Sequence, residues 1–259
     1  MTLPETFEVI RPSIVALGSG LAQTTSGELP AFPRIVGTGI IVDSRGVVVT
    51  NRHVVEELRQ LPPNPKTGAP SDFALLFTGP ETTLSVEIRG YAVPESFHYA
   101  GEDFYGETMP DLAFLQLKVS HAPFLNLAIA PNTLRVGMSI ATAGFPPGTD
   151  SFMASGQIPH TMPLLRQGIV SSLYPFPCPH PYGFMVDTMM QDGGNGSPVL
   201  STDSPTVIGM LYAYLQDANI TLALPSGMIN AALTSCLASA PQGSSDDAHA
   251  LQGFVRERP

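Results

Sequence analysis

Short runs of β-branched and apolar residues recur along this chain, separated by turns rich in glycine and proline. The clearest pair covers residues 38–42 and 47–50, joined by Asp43-Ser44-Arg45-Gly46. Glycine at the last turn position can adopt the positive φ that a tight hairpin requires. The pattern predicts a β-hairpin, and its repetition favours an all-β fold over a helix bundle.

The predicted strands fall into two groups of six on either side of a link around residues 118–135. The first group is 14–17, 38–42, 47–50, 74–77, 84–88 and 112–117; the second is 139–143, 167–171, 184–187, 197–200, 207–211 and 220–224. A helical segment follows at 228–237, with Ser226 as its predicted cap. The sequence therefore predicts two six-stranded β-barrels and a short C-terminal helix. We place the barrels at 1–125 and 126–240, followed by a flexible tail at 241–259.

Charge and composition exclude several classes of function. The formal net charge is −10, with 12 lysine and arginine residues that form no cluster. A nucleic-acid partner is therefore not expected, nor is binding to an anionic membrane surface. No apolar run reaches the ~18 residues that a membrane-spanning helix needs. The first residues lack the features of a signal peptide, which favours the cytoplasm, with the mature part of an exported protein as the alternative.

The two cysteines, Cys178 and Cys236, allow at most one disulfide bridge. We expect two unpaired thiols in a reducing compartment, while a single bridge stays open as the alternative. Cys178-Pro179-His180 supplies too few ligands for zinc, which needs three or four. No metal or other cofactor is predicted.

Two segments suggest a catalytic histidine and its carboxylate partner. Residues 36–43 (VGTGIIVD) and 48–55 (VVTNRHVV) place His53 at a strand end, and Asp111 opens the apolar run DLAFLQL 58 residues later. These motifs resemble those of trypsin-like proteases of the HtrA (Deg) type, with G-(S/T)-G, T-N-x-H-V-V and D-(I/L)-A-x-L-x-(L/V). The resemblance implies that His53 is the general base and that Asp111 orients it.

Further segments extend the resemblance over residues 8–238. They are VGMSIATAGFP at 136–146, RQGIVS at 166–171 and DTMMQ at 187–191. The resemblance implies a chymotrypsin-like fold and a serine endopeptidase ancestry, with peptides or unfolded protein segments as partners. The oligomeric state is left open.

The nucleophile loop departs from the family pattern. The family motif is G-N-S-G-(G/S)-P, whereas this chain reads Gly193-Gly194-Asn195-Gly196-Ser197-Pro198. An alignment without gaps, counted from either side of the loop, places Asn195 at the serine position. An alignment in which the serine position is deleted also leaves the chain without that serine. The resemblance implies that the backbone N–H groups of Gly193 and Asn195 form the oxyanion hole.

Ser197 is a poor substitute for the missing serine. It lies two residues further on, which moves a hydroxyl by roughly 6–7 Å along an extended chain. A misplacement near 1 Å can already cost about 10²-fold in rate. Loss of the triad serine costs on the order of 10⁶ in turnover.

The resemblance also implies a substrate pocket walled by Tyr212, Ala213, Leu222 and Ala223. These segments contain no acidic residue at the expected pocket floor, so an apolar side chain is expected next to the scissile bond. Approach of Asp217 from a loop would change that expectation.

Three functions remain in competition. The first is an inactive protease-like domain that binds peptides in the retained cleft. The second is an active serine endopeptidase whose nucleophile is substituted in this copy. The third is a scaffolding module, which no feature of the sequence favours.

Overall fold

A computed structural model of the chain describes residues 2–19, 34–64, 67–79, 82–94, 109–119, 134–146, 162–177, 181–190, 192–202, 206–238 and 254. Its strands form two closed six-stranded barrels, and all strand pairs are antiparallel. The predicted fold class is confirmed. The predicted domain boundary between residues 125 and 126 lies outside the described residues.

The two barrels share one topology. The first consists of β1 (Ile14–Ser19), β2 (Arg34–Asp43), β3 (Val47–Thr50), β4 (Asp72–Gly79), β5 (Thr82–Ala92) and β6 (Ala113–Leu117). The second consists of β7 (Ser139–Gly144), β8 (Leu164–Tyr174), β9 (Gly183–Val186), β10 (Pro198–Ser201), β11 (Val207–Leu215) and β12 (Ile220–Pro225). The strand order is β1-β2-β3-β6-β5-β4 in the first barrel, and β7-β8-β9-β12-β11-β10 repeats it in the second.

The predicted hairpin joins β2 to β3. Gly46 adopts a φ of +77°, a left-handed conformation that favours glycine. The Asp43 carboxylate accepts hydrogen bonds from the backbone N–H, Nε and Nη2 of Arg45 at 2.8–2.9 Å. The side-chain hydrogen bond from Arg45 lowers the pKa of Asp43 against the opposing effect of burial. The turn chemistry thus agrees with the pattern that predicted it.

Three helices accompany the barrels in the described part of the chain: α1 (Leu3–Ile10), α2 (Arg52–Arg59) and α3 (Ser226–Ala238). The sequence predicted α3, which begins at Ser226 rather than at residue 228. It did not predict α1 or α2, because eight residues show barely two turns of periodicity.

The hydrophobic core has three parts. One cluster takes residues from all six strands of the first barrel and includes the buried face of α2. A second cluster takes residues from all six strands of the second barrel. The third contains alternate residues of both barrels together with residues of α1 and α3. Phe77 and Phe145 meet across this third cluster, with ring centroids 5.1 Å apart. The barrels are therefore packed against each other rather than loosely linked.

Phe254 is the only described residue of the predicted flexible tail. It is 8% exposed and belongs to the core cluster between the barrels. Its backbone lies close to Gly90 of β5. A Cβ atom at Gly90 would lie 2.4 Å from the Phe254 carbonyl oxygen. The C-terminal segment is therefore packed against the first barrel at this residue. The other residues of the predicted tail lie outside the described part.

Among the described residues, the helices are all too short or too polar to cross a membrane.

Candidate active site

The pairing of β3 with β6 brings His53 and Asp111 together. Thr50, the last residue of β3, lies opposite Ala113, the first residue of β6. The chain continues from Thr50 into α2, whose second residue is His53, and Asp111 precedes β6 by two residues. Residues 58 positions apart in sequence therefore meet at one end of the strand pair.

The Asp111 carboxylate contacts His53 through both oxygens. Oδ2 lies 2.6 Å from Nδ1 of the imidazole, and Oδ1 accepts the His53 backbone N–H at 3.0 Å. Asn51 donates its side-chain amide to the Asp111 backbone carbonyl at 3.0 Å. Because a carboxylate can only accept, Nδ1 carries a proton, and in the neutral imidazole Nε2 keeps its lone pair. This is the arrangement that a general-base histidine requires.

Opposing effects act on the His53 imidazole, whose side chain is 42% exposed. Burial is the largest single effect and lowers its pKa. The hydrogen bond and charge of Asp111, together with the charges of Glu57 and Glu56, outweigh it and raise the pKa above 6.5. The protonated form of His53 is therefore favoured by its surroundings.

Asn195 lies in a loop held by both barrels. Its backbone carbonyl accepts the N–H of Thr38 in β2 at 2.7 Å. The next N–H, that of Gly196, donates to the Leu211 carbonyl in β11 at 3.0 Å. Gly196 has a φ of +84°, and a Cβ there would lie 2.0 Å from the Thr38 carbonyl oxygen. The close approach to β2 thus requires glycine.

The same loop lies near the helix that carries His53. A Cβ at Gly37 would approach both methyl groups of Val54 to 2.8 Å and the Asn195 carbonyl oxygen to 3.2 Å. Val54 follows His53 directly in α2. The structure therefore brings His53, Asp111 and Asn195 to one region between the barrels.

The predicted oxyanion groups adopt a different arrangement. Residues Asp192–Gly194 form a 3₁₀ turn, whose i→i+3 pattern pairs the Asp192 carbonyl with the Asn195 N–H. The Asp192 carbonyl is thereby directed at the Asn195 N–H. Because the C=O and N–H of a trans peptide point in opposite directions, the Gly193 N–H points away from the Asn195 N–H. As an oxyanion hole the pair stays a prediction, which would require this turn to rearrange.

Ser197 is directed into the protein. It is 3% exposed. A Cβ at Gly144 of β7 would lie 2.0 Å from the Ser197 Oγ, so glycine at that position makes room for the hydroxyl. The backbone of Ser197 pairs with Gly194 and Leu211. The hydroxyl therefore lies against β7 in the barrel interior.

A groove of about 500 Å³ runs beside the His53–Asp111 pair. Its charged lining residues are Arg52 and Asp111. Most of the others are aromatic or apolar: Met109, Tyr174, Tyr182, Phe184, Met185, Tyr212, Leu215 and Leu222. Tyr174 and Tyr182 form an edge-on pair with centroids 6.2 Å apart. Such a surface suits apolar and aromatic side chains of a ligand.

The residues predicted to wall the pocket have different positions. Tyr212 and Leu222 line the groove. Ala213 lies opposite Leu222 in the β11–β12 pair. Ala223 is fully buried in the core of the second barrel, so the structure does not bring it to the groove. Asp217 is exposed in the 3₁₀ turn Gln216–Ala218 and does not line the groove.

Sequence reasoning missed several groove residues, among them Arg52, Met109, Tyr174, Tyr182 and Met185. They come from α2, from the segments before β6 and β9, and from β8 and β9 themselves, and only the fold brings these segments together. An aromatic residue at a strand end carries no signal of its own. Thr38, within the recognised β2 motif, was also not assigned a role.

Cys236 is a free thiol whose pKa is raised by burial, and Cys178 lies outside the described residues. Within the described part of the chain, no three histidine, cysteine, aspartate or glutamate side chains are grouped closely enough to hold a metal ion.

The family model for the trypsin-like peptidase domain matches residues 37–210. This chain therefore belongs to the trypsin-like peptidase family. No curated protein sequence matches it.

Solved structures of proteases share the fold. Deg5 has a TM-score of 0.58 at 21% identity, covering 88% of this chain and 90% of Deg5. A serine endoprotease of Yersinia pestis has a TM-score of 0.58 at 15% identity, covering 91% of this chain and 66% of its own. A Mycobacterium tuberculosis protein, solved in an inactive form as a serine-to-alanine mutant, has a TM-score of 0.56 at 18% identity, with 92% and 93% covered. At these identities the likeness establishes the chymotrypsin-like fold.

Proposed function

We propose that this domain binds extended peptide segments in its groove without cleaving them. The observation that carries the proposal is the position of Asn195 in the loop that would hold a nucleophile, where its carbonyl and Val54 of α2, the residue after His53, both lie against Gly37. Between residues 192 and 198 the only hydroxyl belongs to Ser197, which is buried against β7. An amide is not a usable nucleophile for peptide hydrolysis, and the 3₁₀ turn engages the Asn195 N–H that the predicted oxyanion hole would need.

The edge of β11 supports peptide binding. β11 pairs with β12 up to Leu215, but with β10 only from Val207 to Met210. Among the described strands, none covers the second edge of residues 213–215. An extended peptide can add to such an edge through backbone hydrogen bonds, while its side chains enter the neighbouring groove. The lining favours peptides with apolar or aromatic side chains.

A second candidate is an active endopeptidase whose nucleophile is substituted in this copy. The intact geometry of the His53–Asp111 pair favours it, since a peptide-binding module has no need of an oriented imidazole. The two candidates differ in what Asn195→Ser does to a substrate: an endopeptidase with a substituted nucleophile should regain hydrolysis, whereas a peptide-binding domain should bind the substrate without turnover.

Hydrolysis and labelling assays separate the candidates. The unmodified chain should cleave neither casein nor fluorogenic peptides, and a fluorophosphonate probe should leave it unlabelled. Labelling at Ser197 would refute the proposal.

Binding is tested by the fluorescence anisotropy of labelled extended peptides rich in leucine and phenylalanine. Tyr174→Ala, at the groove wall, should weaken binding about tenfold, as expected for an aromatic side chain that a bound peptide covers. Phe176→Ala is the matched control, because Phe176 is similarly exposed (48% against 50%) but does not line the groove. Equal effects of both substitutions, or no binding at all, would contradict the peptide-binding function.

A further inference from the structure

Thr38 of β2 connects the candidate oxyanion loop to both barrels. It is fully buried, and its hydroxyl accepts the Phe145 N–H at 3.1 Å and donates to the Gly193 carbonyl at 2.8 Å. Its backbone N–H donates to the Asn195 carbonyl at 2.7 Å. Its own carbonyl accepts the hydroxyl of Thr50 at 2.8 Å. One residue thus holds two carbonyls of the loop at once.

Glycines keep the space around Thr38 tight. A Cβ at Gly196 would meet the Thr38 carbonyl oxygen at 2.0 Å, and a Cβ at Gly144 would meet the Thr38 Oγ1 at 2.9 Å. The backbone of the loop is therefore in direct contact with the backbone of β2. This close approach places the Thr38 hydroxyl within hydrogen-bonding distance of the Gly193 carbonyl, and a buried donor or acceptor left without a partner is costly.

We infer that Thr38 is the positioning residue that holds the loop 192–196 in its closed turn. Its hydroxyl fixes the direction of the Gly193 carbonyl, and its N–H fixes that of the Asn195 carbonyl. With both carbonyls held on the β2 side, the peptide planes between them are restricted. The 3₁₀ turn that engages the Asn195 N–H is then the conformation that the two bonds support.

This inference deepens the proposed function. Its consequence for peptide binding rests on that function. A loop held closed keeps the Asn195 N–H from a bound peptide carbonyl. Peptides would then be retained by the groove and the β11 edge, without polarisation of the peptide bond. Thr38 would act on the loop alone and contact no ligand.

Amide hydrogen exchange in the full 259-residue chain, followed by NMR without any peptide, tests the inference. Thr38→Val keeps the shape of the side chain and removes the hydroxyl. It should accelerate exchange of the Gly194 and Asn195 amides about tenfold, the effect of losing one buried hydrogen bond. Thr38→Ser restores the hydroxyl and should return the loop amides to slow exchange.

Thr221→Val is the matched control, because it removes another fully buried threonine hydroxyl, one that bonds to the Thr188 carbonyl and not to Thr38 or the loop 192–196. The inference is overturned if Thr38→Val accelerates the loop amides no more than Thr221→Val does. It is also overturned if Thr38→Ser fails to restore slow exchange. The exchange experiment contains no peptide. If the anisotropy assay detected no peptide binding, the proposed function would be wrong, but the exchange result would stand.

Discussion

The carboxylate of Asp111 accepts two hydrogen bonds from one residue, His53: one from the backbone N–H and one from the imidazole. His53 is the second residue of α2, so its N–H is among the donors that a helix start leaves unpaired. Asn51 precedes the helix, but its side chain makes no capping bond and instead donates to the Asp111 carbonyl. Asp111 therefore caps α2 and orients the ring, so the helix start and the imidazole share one partner.

The first prediction concerns the charge of His53. Asp111→Asn keeps an acceptor for the backbone N–H but removes the charge beside the ring. The pKa of His53, raised in the folded protein mainly by Asp111 against the effect of burial, should fall. An NMR titration of the His53 ring protons in both proteins measures the change. An unchanged or increased pKa in the variant would show that Asp111 is not the source of the shift.

The same pair predicts how stability depends on pH. Because the folded-state pKa of His53 is raised, its contribution to stability is complete below the unfolded value of about 6.5 and is lost as the pH rises through the folded value. The difference in Tm between the unmodified chain and Asp111→Asn should therefore be larger near pH ~6 than near pH ~9. Thermal unfolding in the two buffers measures it. A difference that grows with pH would contradict the assigned sign.

A further prediction concerns the nucleophile position. Asn195→Ser places a hydroxyl in the loop that lies beside α2, where the retained His53–Asp111 pair can serve as base. We expect the variant to react with a fluorophosphonate at the substituted position, slowly, because the 3₁₀ turn has to open before the oxyanion groups can converge.

Asn195→Ser combined with His53→Ala is the control and should lose the labelling. Mass spectrometry of the modified peptide identifies the labelled residue. If Asn195→Ser alone stays unlabelled while its circular dichroism and Tm match those of the unmodified chain, the loop has diverged from a catalytic geometry by more than one residue.

The barrels could be predicted from sequence because each hairpin carries its own local signal. β-branched runs mark the strands, and the positive φ of Gly46 confirms the turn chemistry between β2 and β3. The helices α1 and α2 could not be predicted in the same way, since their apolar faces become apparent only against the barrel that covers them. Phe254 illustrates the same limit: one apolar residue in a polar segment carries no periodic signal, yet it is buried beside Gly90.

The candidate site was predictable in part. His53, Asp111 and Asn195 lie in recognisable motifs, and the structure brings those motifs together. The closed turn and the hydroxyl of Thr38 depend on distances between segments more than 100 residues apart, which no local pattern encodes. The groove likewise draws its aromatic side chains from separate strands.

Two glycines with similar backbone conformations give a controlled test of the contact between loop and β2. Gly196 (φ +84°) lies against the Thr38 carbonyl, whereas Gly68 (φ +66°) has no atom within 4 Å of a Cβ position. Gly68→Ala should cost about 1–2 kcal/mol, the strain of a left-handed alanine. Gly196→Ala should cost roughly 1–3 kcal/mol more, because the Cβ also overlaps backbone. Urea unfolding at constant m value measures both, and equal costs would mean that the loop moves away freely.

The final prediction concerns deamidation at Asn195-Gly196, the only Asn-Gly pair in the chain. Deamidation requires the Gly196 nitrogen to attack the Asn195 side-chain carbonyl carbon with release of ammonia. In the folded protein that nitrogen donates to the Leu211 carbonyl at 3.0 Å, and the Asn195 carbonyl is held by Thr38. Attack therefore requires the loop to open, so deamidation should be at least about tenfold slower in the folded chain than in urea.

Peptide mass spectrometry after incubation at mildly alkaline pH measures both rates, and Thr38→Val should accelerate the folded-state rate alone. Equal rates in folded and unfolded protein would show that these hydrogen bonds do not restrain the loop on the timescale of the reaction.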